Sequence, residues 1–170
     1  MNSMKWVERE FNFDFPVELF PCILERVRGT PSRVEEIARS YAPGILTIRV
    51  GNGWSIQEQV GHLLDLDDLH EARLEDYALK AKVLRPADMT NKKTSEANHN
   101  AKPIDELLRS FRQARGRFVK RLEEMDDEML ARIALHPRLQ KPMRMVDMAF
   151  FVAEHDDHHL ASITRLARML

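Results

Sequence analysis

The stretch MRMVDMAFFVAEHDDHHLASITRLARML, residues 143–170, contains the clearest helical pattern in the chain. Residues on one seam recur there in alternating steps of three and four: Met145, Met148, Val152, His155, His159, Ser162 and Leu166. This spacing is typical of a helix that buries one face, so we predict a helix from about Met143 to Leu170. His155 and His159 occupy seam positions where apolar residues are expected.

The same periodicity identifies a helix nearer the N-terminus. Its seam consists of Phe20, Leu24, Val27, Pro31, Val34, Ala38 and Tyr41. Pro31 lacks the N–H group that an interior helical position needs, so we expect a kink or a break at this residue. The run Ala42-Pro43-Gly44 is expected to end the helix.

Two more helices are predicted between these segments. Ser55 and Glu58 have the spacing of a capping box, and Trp54 precedes them at the position of a hydrophobic staple. The helix that follows them is expected to continue to about Lys82. A third helix is expected to begin near Pro103, because proline is favourable in the first helical turn. Its apolar residues are Leu107, Leu108, Phe111, Phe118 and Leu122.

Four long amphipathic helices and no convincing strand predict an all-α protein, a four-helix bundle in one domain over residues 1–170. A polar stretch from Arg85 to Lys102 forms a long connection between the second and third helices. Such a connection is either functional, for example as a lid, or a disordered surface loop, and the sequence leaves both open. Residues 1–15 form an aromatic leader, which we expect to pack on the bundle through Trp6, Phe11, Phe13 and Phe15.

The composition argues against several classes of protein. The 26 basic side chains nearly balance the 27 acidic ones, so no global field attracts nucleic acid or an anionic membrane. The longest apolar run, from Met148 to Ala153, is too short to span a bilayer. Cys22 is the only cysteine, which excludes an intrachain disulfide, and its apolar surroundings predict a buried structural thiol. The N-terminus lacks an apolar signal core, so we expect a cytoplasmic protein.

The histidines suggest a metal site. His155 and His159 are four residues apart, which places both imidazoles on the same side of a helix. His62 lies on one face of the second helix. The other residues of that face are Gln59, Leu66, Leu69 and Arg73. Three neutral imidazoles can hold Zn²⁺, Ni²⁺ or Fe²⁺ and leave coordination positions open for water or substrate. Asp65 and Glu154 are candidates to orient a ligand imidazole.

Two other patterns compete with this interpretation. The run from His155 to His159 matches the H-E-x-x-H pattern of zinc proteases with Asp156 as general base, but aspartate is short for that role and no strand is evident to bind a peptide. The segment from Arg109 to Arg121 is basic and contains no acid. It is typical of a solvated helix face, and a nucleic-acid groove or docking of an anionic substrate are the alternatives. The remaining histidines are expected to have no special role: His70, His99, His136 and His158.

These residues resemble the DinB/YfiT family, a set of bacterial metal-binding four-helix bundles. The matching stretches are Gly53-Trp54-Ser55-Ile56 through Gly61-His62-Leu63-Leu64, then His136-Pro137-Arg138-Leu139, and finally Ala153-Glu154-His155-Asp156-Asp157-His158-His159-Leu160. The resemblance implies that His62, His155 and His159 bind one divalent metal, usually assigned as Zn²⁺ or Ni²⁺. It also implies a homodimer, and it does not imply DNA binding.

Members of that family include transferases that use low-molecular-weight thiols such as bacillithiol or mycothiol, and a thiol-dependent maleylpyruvate isomerase. Others were first described as metal-dependent hydrolases. The resemblance therefore implies a metal-dependent enzyme that activates a thiol, or water, for attack on a small electrophile. The alternative is a stress-associated metal-binding protein without turnover, because no general base or nucleophile is evident beside the ligands. Neither nucleic acid nor a membrane is an expected partner.

Overall fold

Four long helices form the framework of the molecule. The structure is a computed structural model that describes residues 4–170, so the first three residues of the predicted leader lie outside the described residues. The helices are α1 (Phe20–Arg39), α2 (Pro43–Leu46), α3 (Ile56–Ala78), α4 (Lys92–Glu96), α5 (Ile104–Glu123), α6 (Asp127–Leu130) and α7 (Met145–Ala167). A hairpin of two strands, β1 (Ile133–His136) and β2 (Lys141–Arg144), precedes α7.

The long helices α1, α3, α5 and α7 pack as a four-helix bundle, and the predicted fold class is confirmed. Helix α1 packs against α5 and α7, and α3 packs against the same two helices. Helices α1 and α3 are therefore diagonal to each other, although they are consecutive long helices, and so are α5 and α7. The first and last connections cross the bundle, whereas the long connection of residues 79–103 joins two neighbours.

Local interactions fix both ends of α3. The Ser55 hydroxyl accepts a hydrogen bond from the Glu58 amide at 3.1 Å, and the Glu58 carboxylate accepts one from the Ser55 amide at 2.9 Å. The predicted capping box is confirmed. The helix ends at Ala78 rather than at about Lys82, because Lys80 adopts a left-handed conformation with φ of 56°.

Of the two outcomes expected at Pro31, the break is wrong, and so is the expected burial of Cys22. The helix does not break at Pro31, which lies inside it with its side chain buried. Packing against α5 and α7 holds the helix together although one backbone donor is missing. Cys22 is exposed rather than buried. The buried side of this helix contains Phe20, Ile23 and Val27, and a residue two positions after Phe20 points away from that side.

The hairpin was not predicted from the sequence. Strands β1 and β2 are antiparallel, with Ala134 opposite Met143 and His136 opposite Lys141. Leu84 in the long connection donates a backbone hydrogen bond to Leu135 at 3.0 Å, which ties that connection to the hairpin. Strands of four residues give little alternation to detect, and Pro142 lies within one of them, so the sequence signal is weak.

A buried polar layer divides the core into two apolar clusters. Arg115 of α5 lies in this layer and donates to Asp67 of α3 at 2.8 Å and to Asp156 of α7. Thr30 of α1 donates to Asp156 at 2.7 Å. Burial opposes the charge of Arg115, but the two carboxylates outweigh it and raise the pKa of Arg115. Each long helix therefore contributes one side chain to a network in which one guanidinium pairs with two carboxylates.

The aromatic leader packs against the end of the bundle beside α7. Phe11 is buried, and Trp6, Phe13 and Phe15 contact the same apolar cluster. Arg144 donates to the backbone carbonyls of Phe13 and Phe15, both at 2.9 Å. Among the helices of the described residues, none is long and apolar enough to cross a membrane.

Candidate metal centre

Three buried imidazoles from two helices converge inside the bundle. His62 comes from α3, and His155 and His159 come from successive turns of α7. One ring nitrogen of each lies within 4.8 Å of the other two, and the Nε2 atoms of His155 and His159 are 3.1 Å apart. The structure thus brings together the residues that the sequence selected, and metal binding by them stays a prediction.

Hydrogen bonds at the outer nitrogens orient two of these rings. The Thr94 hydroxyl donates to Asp65 at 2.9 Å, so it accepts from Nδ1 of His62 at 3.1 Å. The Gln59 side-chain oxygen accepts from Nδ1 of His159 at 2.5 Å. Each of the two rings therefore carries its proton on Nδ1 and its lone pair on Nε2, which is the state that a metal-binding histidine needs.

Burial keeps the cluster neutral. It lowers the pKa of His62 to about 4 and lowers the pKa of His155 and His159 well below the ordinary value. The neighbouring imidazoles lower the pKa of His155 and His159 further, because each ring disfavours a second positive charge. Three uncharged nitrogen donors at this spacing fit a divalent transition metal, which His62, His155 and His159 would hold.

Asp65 supports the cluster indirectly, whereas Glu154 does not support it. Asp65 accepts from Thr94 and from Nε2 of His99 at 2.8 Å. Burial alone would raise the pKa of Asp65, but these two hydrogen bonds lower it, so the carboxylate stays charged. Asp65 therefore orients His62 through Thr94. The prediction for Glu154 is wrong, because its carboxylate pairs with Arg26 at 2.6 Å and with Arg9.

The long connection between α3 and α5 is part of this site. It supplies Thr94 from α4 and His99, both buried, and Gln57 of α3 donates to the His99 carbonyl at 2.6 Å. The His99 ring lies so close to α3 that a Cβ atom on Gly61 would be 2.2 Å from its Cδ2 atom. The part of the connection that carries Thr94 and His99 therefore packs on α3, and His99 has a role that the sequence did not predict.

A cavity of about 450 Å³ adjoins the three imidazoles. Trp54 lies against His62 with ring centroids 4.7 Å apart, and Trp6 of the leader lies 4.9 Å from His155. Leu66 and Phe151 add apolar surface to the lining. A pocket of this size with mostly apolar walls suits a small organic molecule.

The structure also tests the two patterns that compete with the metal interpretation. Asp156 binds Arg115 and Thr30 in the buried layer and does not belong to the histidine cluster, so the protease interpretation is wrong. Arg115 is buried, contrary to the predicted solvated face. Its neighbours Arg112 and Arg121 do lie on such a face, because they pair with Glu35 and Glu75 at the surface.

The fold and the histidine cluster define a four-helix bundle built around three convergent imidazoles. A family model of the DinB superfamily matches residues 26–163. The chain therefore belongs to the DinB superfamily. No curated protein matches the chain.

Two examples among the solved structures that share the fold have descriptive names. One is YfiT from Bacillus subtilis, described as a probable metal-dependent hydrolase with an unusual four-helix bundle topology; it is 21% identical with a TM-score of 0.74, over 95% of this chain and 93% of that one. The other is the mycothiol-dependent maleylpyruvate isomerase, 10% identical with a TM-score of 0.69, over 88% of this chain and 61% of that one. At these identities the likeness shows the fold alone.

Several site residues were missed from the sequence. Thr94 lies in a segment without periodicity, and the stretch from His136 to Leu139 matches the family without indicating a role for its residues. Arg138 and Trp6 are close in space but far apart in the chain, with Arg138 5.8 Å from the Trp6 ring centroid. Gln59 could have been found, because it lies one turn before His62 on the same helical face.

Proposed function

We propose that this chain is a metal-dependent enzyme that activates a low-molecular-weight thiol, or water, for attack on a small electrophile. The observation that carries the proposal is the position of three neutral imidazoles at the wall of a cavity of about 450 Å³. Three protein ligands leave at least one coordination position for a reactant, and the cavity leaves space for a second molecule beside it. The names of the two solved neighbours, a hydrolase and a thiol-dependent isomerase, agree with this class of reaction.

Some side chains of the site would hold the metal, and others shield the histidine cluster from water. His62, His155 and His159 would hold Zn²⁺ or Ni²⁺, and the bound metal would supply Lewis acidity that lowers the pKa of a thiol or water. Gln59 fixes the ring of His159, and Thr94 fixes the ring of His62. The indole rings of Trp54 and Trp6 exclude bulk water from the cluster, which strengthens electrostatic interactions there.

The exposed Cys22 supports a cytoplasmic location within this proposal. A free thiol at the surface is stable in a reducing compartment and prone to oxidation or mispairing outside it. A low-molecular-weight thiol that serves as reactant also needs a reducing compartment.

The test is turnover by tag-free protein that is stripped of metal and reloaded with Zn²⁺ or Ni²⁺. Monobromobimane with cysteine, bacillithiol or mycothiol reports thiol transfer, and p-nitrophenyl acetate reports hydrolysis. We expect turnover that needs the metal, is lost in the His62→Ala and His155→Ala variants, and is retained in the surface variant Asp157→Asn. Protein that holds metal at the cluster but turns over neither substrate would overturn the enzyme proposal in favour of a non-catalytic metal-binding protein.

A further inference from the structure

A second end of the cavity contains two arginines, and the carboxylate of Asp88, which also lines the cavity, accepts from Thr90 and from the Lys92 amide instead. Arg73 of α3 is 3% exposed, and its Nε and Nη2 atoms both donate to a single backbone carbonyl, that of Arg85, at 3.1 Å. Across the residues that the structure describes, no carboxylate lies within ion-pair distance of Arg73 or of Arg138, which lines the same cavity. Asp76 acts on Arg73 only at longer range, because its carboxylate pairs with Arg85 at 2.6 Å. A buried guanidinium without a direct ion pair is costly to the fold.

Two hydrogen-bond donors near these arginines have no partner among the described residues. His136 is 2% exposed, and its Nδ1 accepts from the Leu139 amide at 3.2 Å, so the ring proton is on Nε2. That Nε2 is buried without a partner among the described residues, and so is Nη2 of Arg138. Burial, with Arg73 and Arg138 nearby, lowers the pKa of His136 to about 3, so this imidazole is a neutral donor. Unsatisfied donors beside two guanidiniums describe a place for an anion.

This end faces the histidine cluster along a common apolar wall. The Arg138 guanidinium lies 5.6 Å from the Phe151 ring centroid and 5.8 Å from that of Trp6, and Trp6 contacts His155. Along α3, the backbones of His62 and Arg73 are roughly 16 Å apart, with apolar side chains of the same face between them. A ligand that contacts both ends is therefore extended and apolar in its middle.

We infer that Arg73, Arg138 and His136 form a carboxylate subsite, so that the reactants include an extended acid with its reactive group at the imidazoles. Arginine suits this role because its planar donors match the two oxygens of a carboxylate. The inference rests on the proposed function for the reactive end of the ligand. The carboxylate belongs either to the thiol or to the electrophile, and the chemistry of the subsite is the same for both.

Calorimetric binding to the metal-loaded protein tests the subsite with two matched pairs. The thiol pair is 6-mercaptohexanoate and 6-mercaptohexan-1-ol, and the electrophile pair is 6-bromohexanoate and 6-bromohexanamide. We expect the acid of one pair to bind about tenfold or more tightly than its neutral partner, since hydrogen bonds to a charged group are stronger than those to a neutral one. Preference within the thiol pair assigns the carboxylate to the thiol, and preference within the electrophile pair assigns it to the electrophile.

Variants test whether Arg73 and Arg138 cause the tighter binding of the acid. Arg73→Gln and Arg138→Gln are expected to lose most of it while they keep the metal content of the wild type. Arg138 is partly exposed, so its variant remains informative if Arg73→Gln does not fold. Arg112→Gln, at the surface, is the control and is expected to keep the preference. Hexanoate binding by metal-free protein separates this inference from the proposed function, because the subsite does not need the metal.

Equal binding of acid and neutral partner in both pairs would overturn the carboxylate subsite. A preference that survives in Arg73→Gln and in Arg138→Gln would overturn it as well. Loss of turnover with intact hexanoate binding would instead count against the proposed function alone.

Discussion

Arg115 and Arg73 are both buried arginines of the bundle, and their surroundings are opposite. Arg115 is 1% exposed and has two carboxylates as partners, those of Asp67 and Asp156. Arg73 is 3% exposed and bonds to one backbone carbonyl. Accordingly, the pKa of Arg115 is raised, whereas burial lowers the pKa of Arg73 to about 10.

This difference distinguishes an arginine that stabilises the fold from arginines that are expected to bind a ligand. In the layer around Arg115 the chain itself supplies every counter-charge, and the layer joins all four long helices, so its role is to specify the bundle. At the cavity, no carboxylate of the described residues lies within ion-pair distance of Arg73 or Arg138, because Asp76 pairs with Arg85 and Asp88 bonds to Thr90 and Lys92. Charges that the fold leaves uncompensated mark the place where a ligand is expected.

The largest effect is expected from Asp156→Ala, which removes one of the two carboxylates of Arg115 and the side-chain acceptor of Thr30. Arg115 stays paired with Asp67, but its hydrogen bonds to Asp156 are lost; a hydrogen bond to a charged group contributes about 1.5–3 kcal/mol, so we expect a loss of about 3 kcal/mol or more. Chemical denaturation measures the loss. The adjacent Asp157 pairs with Arg26 and Arg33 in a partly exposed position, so Asp157→Ala is the matched control, with an expected loss of about 1 kcal/mol or less. Equal losses in the two variants would mean that the buried layer does not hold the bundle together.

A smaller effect on stability, with an added effect on the site, is expected from Gly61→Ala. The new Cβ would lie 2.2 Å from His99 Cδ2, so His99 must move and its hydrogen bond to Asp65 is lost. Overpacking of this kind costs about 1–3 kcal/mol, and metal affinity is expected to fall because Thr94 and Asp65 shift with His99. Thermal or chemical denaturation measures the first effect, and competition with a chelator measures the second.

Gly116→Ala on α5 is the matched control for this variant, because a Cβ atom at that position would extend into open space. It is expected to stabilise the helix by about 0.5–1 kcal/mol. If Gly61→Ala also stabilised the protein, the close approach of His99 to α3 would be disproved.

The smallest effect on the fold is expected from Gln59→Leu, which acts on the site alone. It removes the acceptor for Nδ1 of His159 and leaves the ring free to rotate. Loss of such a supporting hydrogen bond lowers metal affinity about 10- to 100-fold. Competition with a chromophoric chelator measures the change, and Gln113→Leu on the exposed side of α5 is the control. Unchanged affinity in Gln59→Leu would show that Gln59 does not orient the ligand.

Much of the framework could be predicted because it depends on local patterns. Apolar residues that recur in steps of three and four indicated the long helices, and the capping box of Ser55 and Glu58 indicated the start of α3. The convergence of His62 with His155 and His159 followed from helical spacing and the family resemblance. The buried layer could not be predicted, because Arg115, Asp67 and Asp156 are charged residues whose burial depends on pairing across three helices.

The site residues that irregular segments contribute could not be predicted from the sequence either. Thr94, His136 and Arg138 come from a loop helix and a short hairpin, and their directions depend on tertiary packing rather than on periodicity. The identity of the metal, the thiol and the homodimer stay predictions, because each depends on a molecule other than this chain.

Metal analysis of tag-free protein by mass spectrometry tests the central claim most directly, with His155→Ala compared with His158→Ala. His158 is next to His159 in sequence but is not a member of the three-histidine cluster. We expect about one divalent transition metal per chain in the wild type and in His158→Ala, and none retained in His155→Ala. Equal metal content in the two variants, or none in the wild type after growth with Zn²⁺ and Ni²⁺, would contradict the metal centre.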